Sequence, residues 1–157
     1  MGRRKRVKWE NGSVFAVPLE DESFGLVQAI DHWMPHWIYS VIFNLRFDSI
    51  PEEVPDFDRN NMISLMAISD DEFDFGEWPL VGSRDCLVKK KEFSNEKFKN
   101  KGYVGGKSYE GGVVVQFLSA YHKISPWDCY YKADYLDDLL LSPDMKPDDL
   151  IYKGEKA

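Results

Sequence analysis

The stretch Trp37, Ile38, Tyr39, Ser40, Val41, Ile42, Phe43, Asn44, Leu45, Arg46 and Phe47 decides the fold class. Its odd-numbered residues, Trp37, Tyr39, Val41, Phe43, Leu45 and Phe47, share one face, while Ser40, Asn44 and Arg46 fall on the other. That alternation has period two and fits a strand, not a helix. Toward the N-terminus, residues 13–19 and 24–30 are two more runs rich in β-branched and aromatic residues, separated by Glu20, Asp21, Glu22 and Ser23. Four residues are too few for a parallel crossover, so the pair is predicted to be a β-hairpin with Pro18 at a strand end or edge.

Toward the C-terminus, residues 48–61 are acidic and broken by Pro51 and Pro55, which predicts a loop. The apolar pattern resumes at 62–68. An acidic and aromatic stretch follows at 70–78, and a short strand is expected around 79–82. Residues 84–106 form a basic connection with Lys89, Lys90, Lys91, Lys97, Lys99 and Lys101. Residues 111–121, with Val113, Val114 and Val115, read as another strand. Residues 133–141 place Leu136, Leu139 and Leu140 at helical spacing before Pro143 and read as a helix. The expected fold is therefore mainly β, an antiparallel barrel-like or strongly curved sheet with a C-terminal helix. Residues 1–157 form one domain, with 1–8 as a basic, flexible leader.

The chain has 157 residues, 43% of them apolar and 15% aromatic. A chain of this length buries roughly 68 to 70% of its unfolded surface, so it needs no metal or disulfide to fold. Its 20 basic residues against 27 acidic ones give a net charge of −7, which argues against a general binder of nucleic acid. The sign is unevenly spread. The first eight residues hold Arg3, Arg4, Lys5, Arg6 and Lys8 and no acid, whereas residues 48–77 carry ten acids against Arg59 alone, a net of −9. Trp9, Glu10, Asn11 and Gly12 follow the basic run in place of an apolar signal core, and no apolar run approaches the ~20 residues of a membrane span. A cytoplasmic protein with no membrane partner is expected. Cys86 and Cys129 are too few and too far apart for a disulfide framework or a zinc site.

The residues that could carry catalysis are Cys86, Cys129, His32, His36 and His122, and none sits in a recognisable motif. Asp31, His32 and His36 have a metal-like spacing, but Pro35 and the strand that follows favour a turn with two exposed histidines. Counted from Asp70 as a calcium loop, position six is Phe75 where glycine is required. Gly106 and Lys107 resemble the end of a phosphate loop, but Lys101 stands where its first glycine belongs. No catalytic residue, metal ligand or cofactor is assigned. The acidic zone remains, and charge of one sign on that scale suits a cationic partner. Phe57, Phe73, Phe75 and Trp78 lie among the acids as a recognition patch would place its anchors. The candidate binding residues are Asp56, Asp58, Asp70, Asp71, Glu72, Phe73, Asp74, Phe75, Glu77 and Trp78.

The run Gly12, Ser13, Val14, Phe15, Ala16, Val17, Pro18, Leu19, then an acidic turn and Phe24, Gly25, Leu26, Val27, resembles the opening hairpin of the immunity protein 26 family. It departs from that pattern at Ser13, where an acidic residue is expected, and in having a single Gly25. The resemblance implies an all-β bacterial protein that neutralises a toxin domain of a polymorphic or contact-dependent growth-inhibition system, by binding and without turnover. The partner would be the C-terminal domain of a cognate toxin, with a cationic surface if it is a nuclease. The alternative is a small β-barrel that binds RNA or a nucleotide, which needs the lysines of residues 84–107 to gather beside exposed aromatics.

Overall fold

Residues 6–154 are described by the computed structural model, so Arg3, Arg4 and Lys5 of the basic run lie outside the described residues. Strands β1 (Ser13–Pro18), β2 (Phe24–His32), β3 (Trp37–Phe43), β4 (Met62–Ser69) and β5 (Leu80–Ser83) form one antiparallel sheet in the order β4-β3-β2-β1-β5. The expected hairpin is present as β1 and β2, in a register that runs from Val14 opposite Gln28 to Pro18 opposite Phe24. β3 ends at Phe43, and the pattern beyond it survives as an isolated bridge between Phe47 and Phe24. β4 and β5 are opposite edges, so the sheet is open and the barrel-like alternative is corrected.

Both faces of this sheet are apolar. Phe15, Val17, Val27, Ala29, Ile38, Ile42, Met66 and Ile68 build one core, and Val14, Leu26, Ile30, Tyr39, Val41, Phe43 and Ala67 build the other. The odd-numbered side of residues 37–47 is the second face, but Ile38, Ile42 and a fully buried Ser40 make the first equally dry. A two-faced sheet needs two covers.

The first cover is a helix where the sequence reading expected a strand. The two α-helices are α1 (Asp71–Asp74) and α2 (Gly111–Tyr121). In α2 the valines are poor helix formers, but Val114, Phe117 and Leu118 fall at positions i, i+3 and i+4 and are completely buried against the first face. Tertiary packing outweighs intrinsic preference here. The expected C-terminal helix is corrected as well: only a 3-10 turn, Tyr135–Leu139, forms there, with Leu136 and Leu139 buried. The second cover comes from two connections: the one between β3 and β4 sets Phe57 onto the second face ahead of the 3-10 turn Arg59–Asn61, and the one between β5 and α2 adds Val88 and Phe93 around the 3-10 turns Lys90–Glu92 and Ser94–Lys101.

Two buried amides fasten that cover. Gln28 is wholly buried; its Nε2 donates to the carbonyls of Gly12 and Asp85, each at 3.1 Å, and its Oε1 accepts from the Leu87 N–H at 3.0 Å. Asn95 donates Nδ2 to the Lys107 carbonyl and accepts the Lys107 N–H on Oδ1, each at 2.7 Å. Removing Gln28 leaves the partly buried Leu87 N–H and Asp85 carbonyl without this partner, while the Gly12 carbonyl keeps the Arg84 N–H. Gln28→Leu is expected to lower the unfolding free energy by about 3 kcal/mol in urea denaturation, whereas a loss below about 1 kcal/mol would mean the loop finds other partners.

Candidate functional site

The acidic stretch after β4 is shaped by one ring. Phe73 is fully buried, edge-on to Phe15 at 4.9 Å and to Trp78 at 5.2 Å, and it pulls the four residues of α1 down onto the first face. Its neighbours in sequence must then face outward. Asp71 and Glu77 are exposed, and Asp70, Glu72, Asp74 and Phe75 are half-buried along the same ledge. Phe73 and Trp78, expected as contact anchors, are instead the ledge's roots in the core, at 0% and 3% exposure.

Each half-buried acid on the ledge has a defined role. Asp70 Oδ2 lies 3.4 Å from His36 Nδ1, and the Asp70 N–H donates to the His36 carbonyl. Glu72 Oε2 accepts from Ser69 Oγ at 2.9 Å, and that hydroxyl in turn accepts from the Gly111 N–H at the start of α2. A Cβ at position 111 would sit 2.3 Å from the Glu72 carboxyl carbon, so any larger residue there has to displace the Glu72 side chain from its bond to Ser69. Burial pushes the Glu72 carboxyl up from its ordinary value. Asp74 Oδ1 accepts from Trp9 Nε1 at 2.8 Å, and its carbonyl accepts from the Val7 N–H at 2.6 Å.

Asp56 and Asp58 do not join this ledge. Phe57 between them packs on Phe43 in the second core, with ring centroids 4.4 Å apart, so these acids lie on the opposite side of the sheet from Phe73. Asp58 also caps a 3-10 turn by accepting from the Asn60 N–H. Arg59, next to it, is held by Glu92 through two hydrogen bonds of 2.7 and 3.0 Å, and this pairing draws the Glu92 carboxyl down to about 2. The −9 of residues 48–77 is thus divided between two surfaces.

The thiols and histidines stay apart. Cys86 is exposed and Cys129 half-buried; partial burial raises both thiols, which works against a thiolate nucleophile, and no recorded hydrogen bond among the described residues joins either to an imidazole. His32, the last residue of β2, and His36, in the β2–β3 turn, are both exposed, as Pro35 and the strand that follows suggested, and His122, just after α2, is pushed down to about 4 by burial. No group of three His, Cys, Asp or Glu residues among those described could hold a metal ion. No helix among them is long and apolar enough to cross a membrane.

A cleft of about 320 Å³ opens beside β4, lined by Tyr39, Phe93, Lys97, Phe98, Lys107 and Tyr109, among others. Tyr109 pairs with β4 at Ala67 and Ser69, and Leu141 donates to the Ile63 carbonyl. Between these two, Asn95 takes both backbone hydrogen-bonding groups of Lys107, and Leu65 lines the cleft.

A family model described as Immunity protein 26 matches residues 10–108. The chain belongs to the immunity protein 26 family. The match extends the resemblance of residues 12–27 across the whole sheet, α1 and the loop cover; α2 and the C-terminal segment lie beyond it. No curated protein and no solved structure matches the chain. Membership gives the protein an immunity role, which means binding a toxin partner, and it favours a non-enzymatic task.

Trp9, Gln28, Asn95 and Gly111 escaped the sequence reading, because each acts through a partner remote in the chain. For Glu72 the chemistry sets a sign. Its folded-state value is raised, so protonation favours the folded state, and the ionised form costs stability once the pH passes that raised value. Glu72→Gln is expected to be more stable than the parent at pH 7, on the order of 0.5 kcal/mol after solvent screening, with the advantage gone below the ordinary carboxylate range near 4.5. Thermal unfolding across that pH range checks it, and a variant less stable than the parent at pH 7 would overturn it.

Proposed function

We propose that this immunity protein 26 member neutralises the C-terminal domain of a cognate bacterial toxin in the cytoplasm by covering its active or substrate-binding surface, and that the α1 ledge makes the contact. Family membership carries the role. One observation supports the surface: Asp70, Asp71, Glu72, Asp74 and Glu77 lie within eight residues, with no lysine or arginine among them, on a segment rooted in the core by Phe73. Carboxylates fixed before the partner arrives lose little freedom on binding and steer a cationic partner at long range. A nuclease fits this chemistry, since it must present cationic surface to phosphate, and an acidic ledge can occupy that surface in place of nucleic acid. Asp56 and Asp58, on the other side of the sheet, are assigned at most to steering. A second reading, binding of RNA or a nucleotide, has the cleft beside β4 in its favour, where Lys97 and Lys107 stand near Phe98 and Tyr109.

Co-expression with the C-terminal toxin domain encoded beside it is expected to yield a complex that survives purification and associates more slowly as salt rises. Asp71→Lys should weaken it by about tenfold, while Asp56→Lys changes affinity by less than about threefold. The reverse order would move the interface across the sheet. Retention of single-stranded RNA on a filter at low salt, lost in a Lys97→Glu variant, would favour the second reading.

A further inference from the structure

The ledge already has an occupant. Residues 6–10 pass over the C-terminal end of α1 with Val7 and Trp9 half-buried and Arg6, Lys8 and Glu10 exposed, the in–out alternation of a strap laid against a surface. The Val7 N–H donates to the Asp74 carbonyl, and the Val7 side chain lies 3.4 Å from where a Cβ on Gly76 would stand. The Arg6 guanidinium sits 5.6 Å from the centre of the Phe75 ring. Trp9 ends the strap, stacked on His32 at 5.3 Å and edge-on to Phe15 at 6.1 Å, with its indole N–H on Asp74. Trp9 packs against the core, whereas the contacts seen for residues 6–8 among the described residues are a backbone hydrogen bond, an apolar seat and a cation–ring contact. Such contacts are individually small.

We infer that the ledge is a receptor for an extended basic segment of the pattern cation–apolar–cation, that Arg6, Val7 and Lys8 are its resident occupant, and that the toxin binds by putting a segment of that pattern in their place. The inference rests on the proposed role of the ledge and deepens it by naming what the partner must present. An apolar side chain takes the seat over Gly76, where φ is +75° and no Cβ intrudes, a backbone N–H reaches the Asp74 carbonyl, and a flanking cation covers Phe75 while the surrounding carboxylates draw in the rest of the charge. The resident strap competes with the partner, so the full chain binds more weakly than a chain with its ledge open.

The probe is a labelled synthetic peptide of residues 1–8, titrated at low salt onto the full chain, onto a chain lacking those eight residues, and onto a full-length Val7→Asp variant that keeps its length but loses the apolar seat. The open ledge of the shortened chain and of V7D is expected to bind the peptide at least about tenfold more tightly than the full chain, and a shuffled peptide of equal charge to bind several-fold more weakly. Equal binding by the full and shortened chains, or equal binding of the shuffled peptide, would overturn the inference. Should the peptide bind as expected and no toxin complex form, the proposed function would fail while the receptor remained. Should a toxin complex form with the same affinity for full and shortened chains, the toxin would dock elsewhere and the displacement would be refuted.

Discussion

A sheet that is apolar on both faces cannot stand alone, and the rest of the structure answers that requirement. Burial of Phe15, Ile38 and Ile42 on one side and of Tyr39, Val41 and Phe43 on the other commits the chain to two covering layers drawn from segments with little regular structure of their own. The α2 helix closes one side with Val114, Phe117, Leu118 and Ala120, all fully buried. The other is closed by 3-10 turns and loops, whose backbone polar groups need partners once water is excluded. Gln28 and Asn95 supply part of that partnership from inside, which explains why two amides, residues usually found at surfaces, are among the most buried side chains.

The acidic ledge follows from the same requirement. Phe73, with Trp78 against it, roots a four-residue helix in the first face, and the acids around it lie exposed or half-buried along the outer side. The charges are therefore as well positioned as the core beneath them. Glu72 ties the ledge to the first residue of α2 through Ser69, so the family-matched part of the chain and the helix that follows it share a polar joint. An immunity protein built this way can vary its outward acids without touching the ring that fixes their height.

Much of the sheet was legible because β-branched and aromatic enrichment over residues 13–19 and alternation over residues 37–43 are local properties. The α2 helix was not: Val113, Val115 and Phe117 read as one face of a strand and Val114, Phe117 and Leu118 as one face of a helix, and only the sheet face waiting for them decides. The ledge was legible as charge but not as a surface. Asp58 and Asp70 look like parts of one acidic zone in sequence, and the sheet passing between Phe57 and Phe73 separates them. The residues that fasten the fold left no local trace, since Trp9 meets Asp74 across 65 positions and Gln28 meets Leu87 across 59.

The Asn95 clamp has a further consequence, for how this protein behaves at high concentration. An exposed edge strand is a template on which another copy can add a strand of its own, and an eight-residue edge such as β4 would be a long one. Here Tyr109 occupies one end of the edge and Leu141 the other, and Asn95 takes both backbone hydrogen-bonding groups of Lys107, so the edge is interrupted along its length. A neighbouring chain finds no run of backbone long enough to zip against. The opposite edge, β5, is only four residues long and contains Gly82. Both edges of the sheet are thus short or interrupted, the property that discourages strand-to-strand pairing between copies.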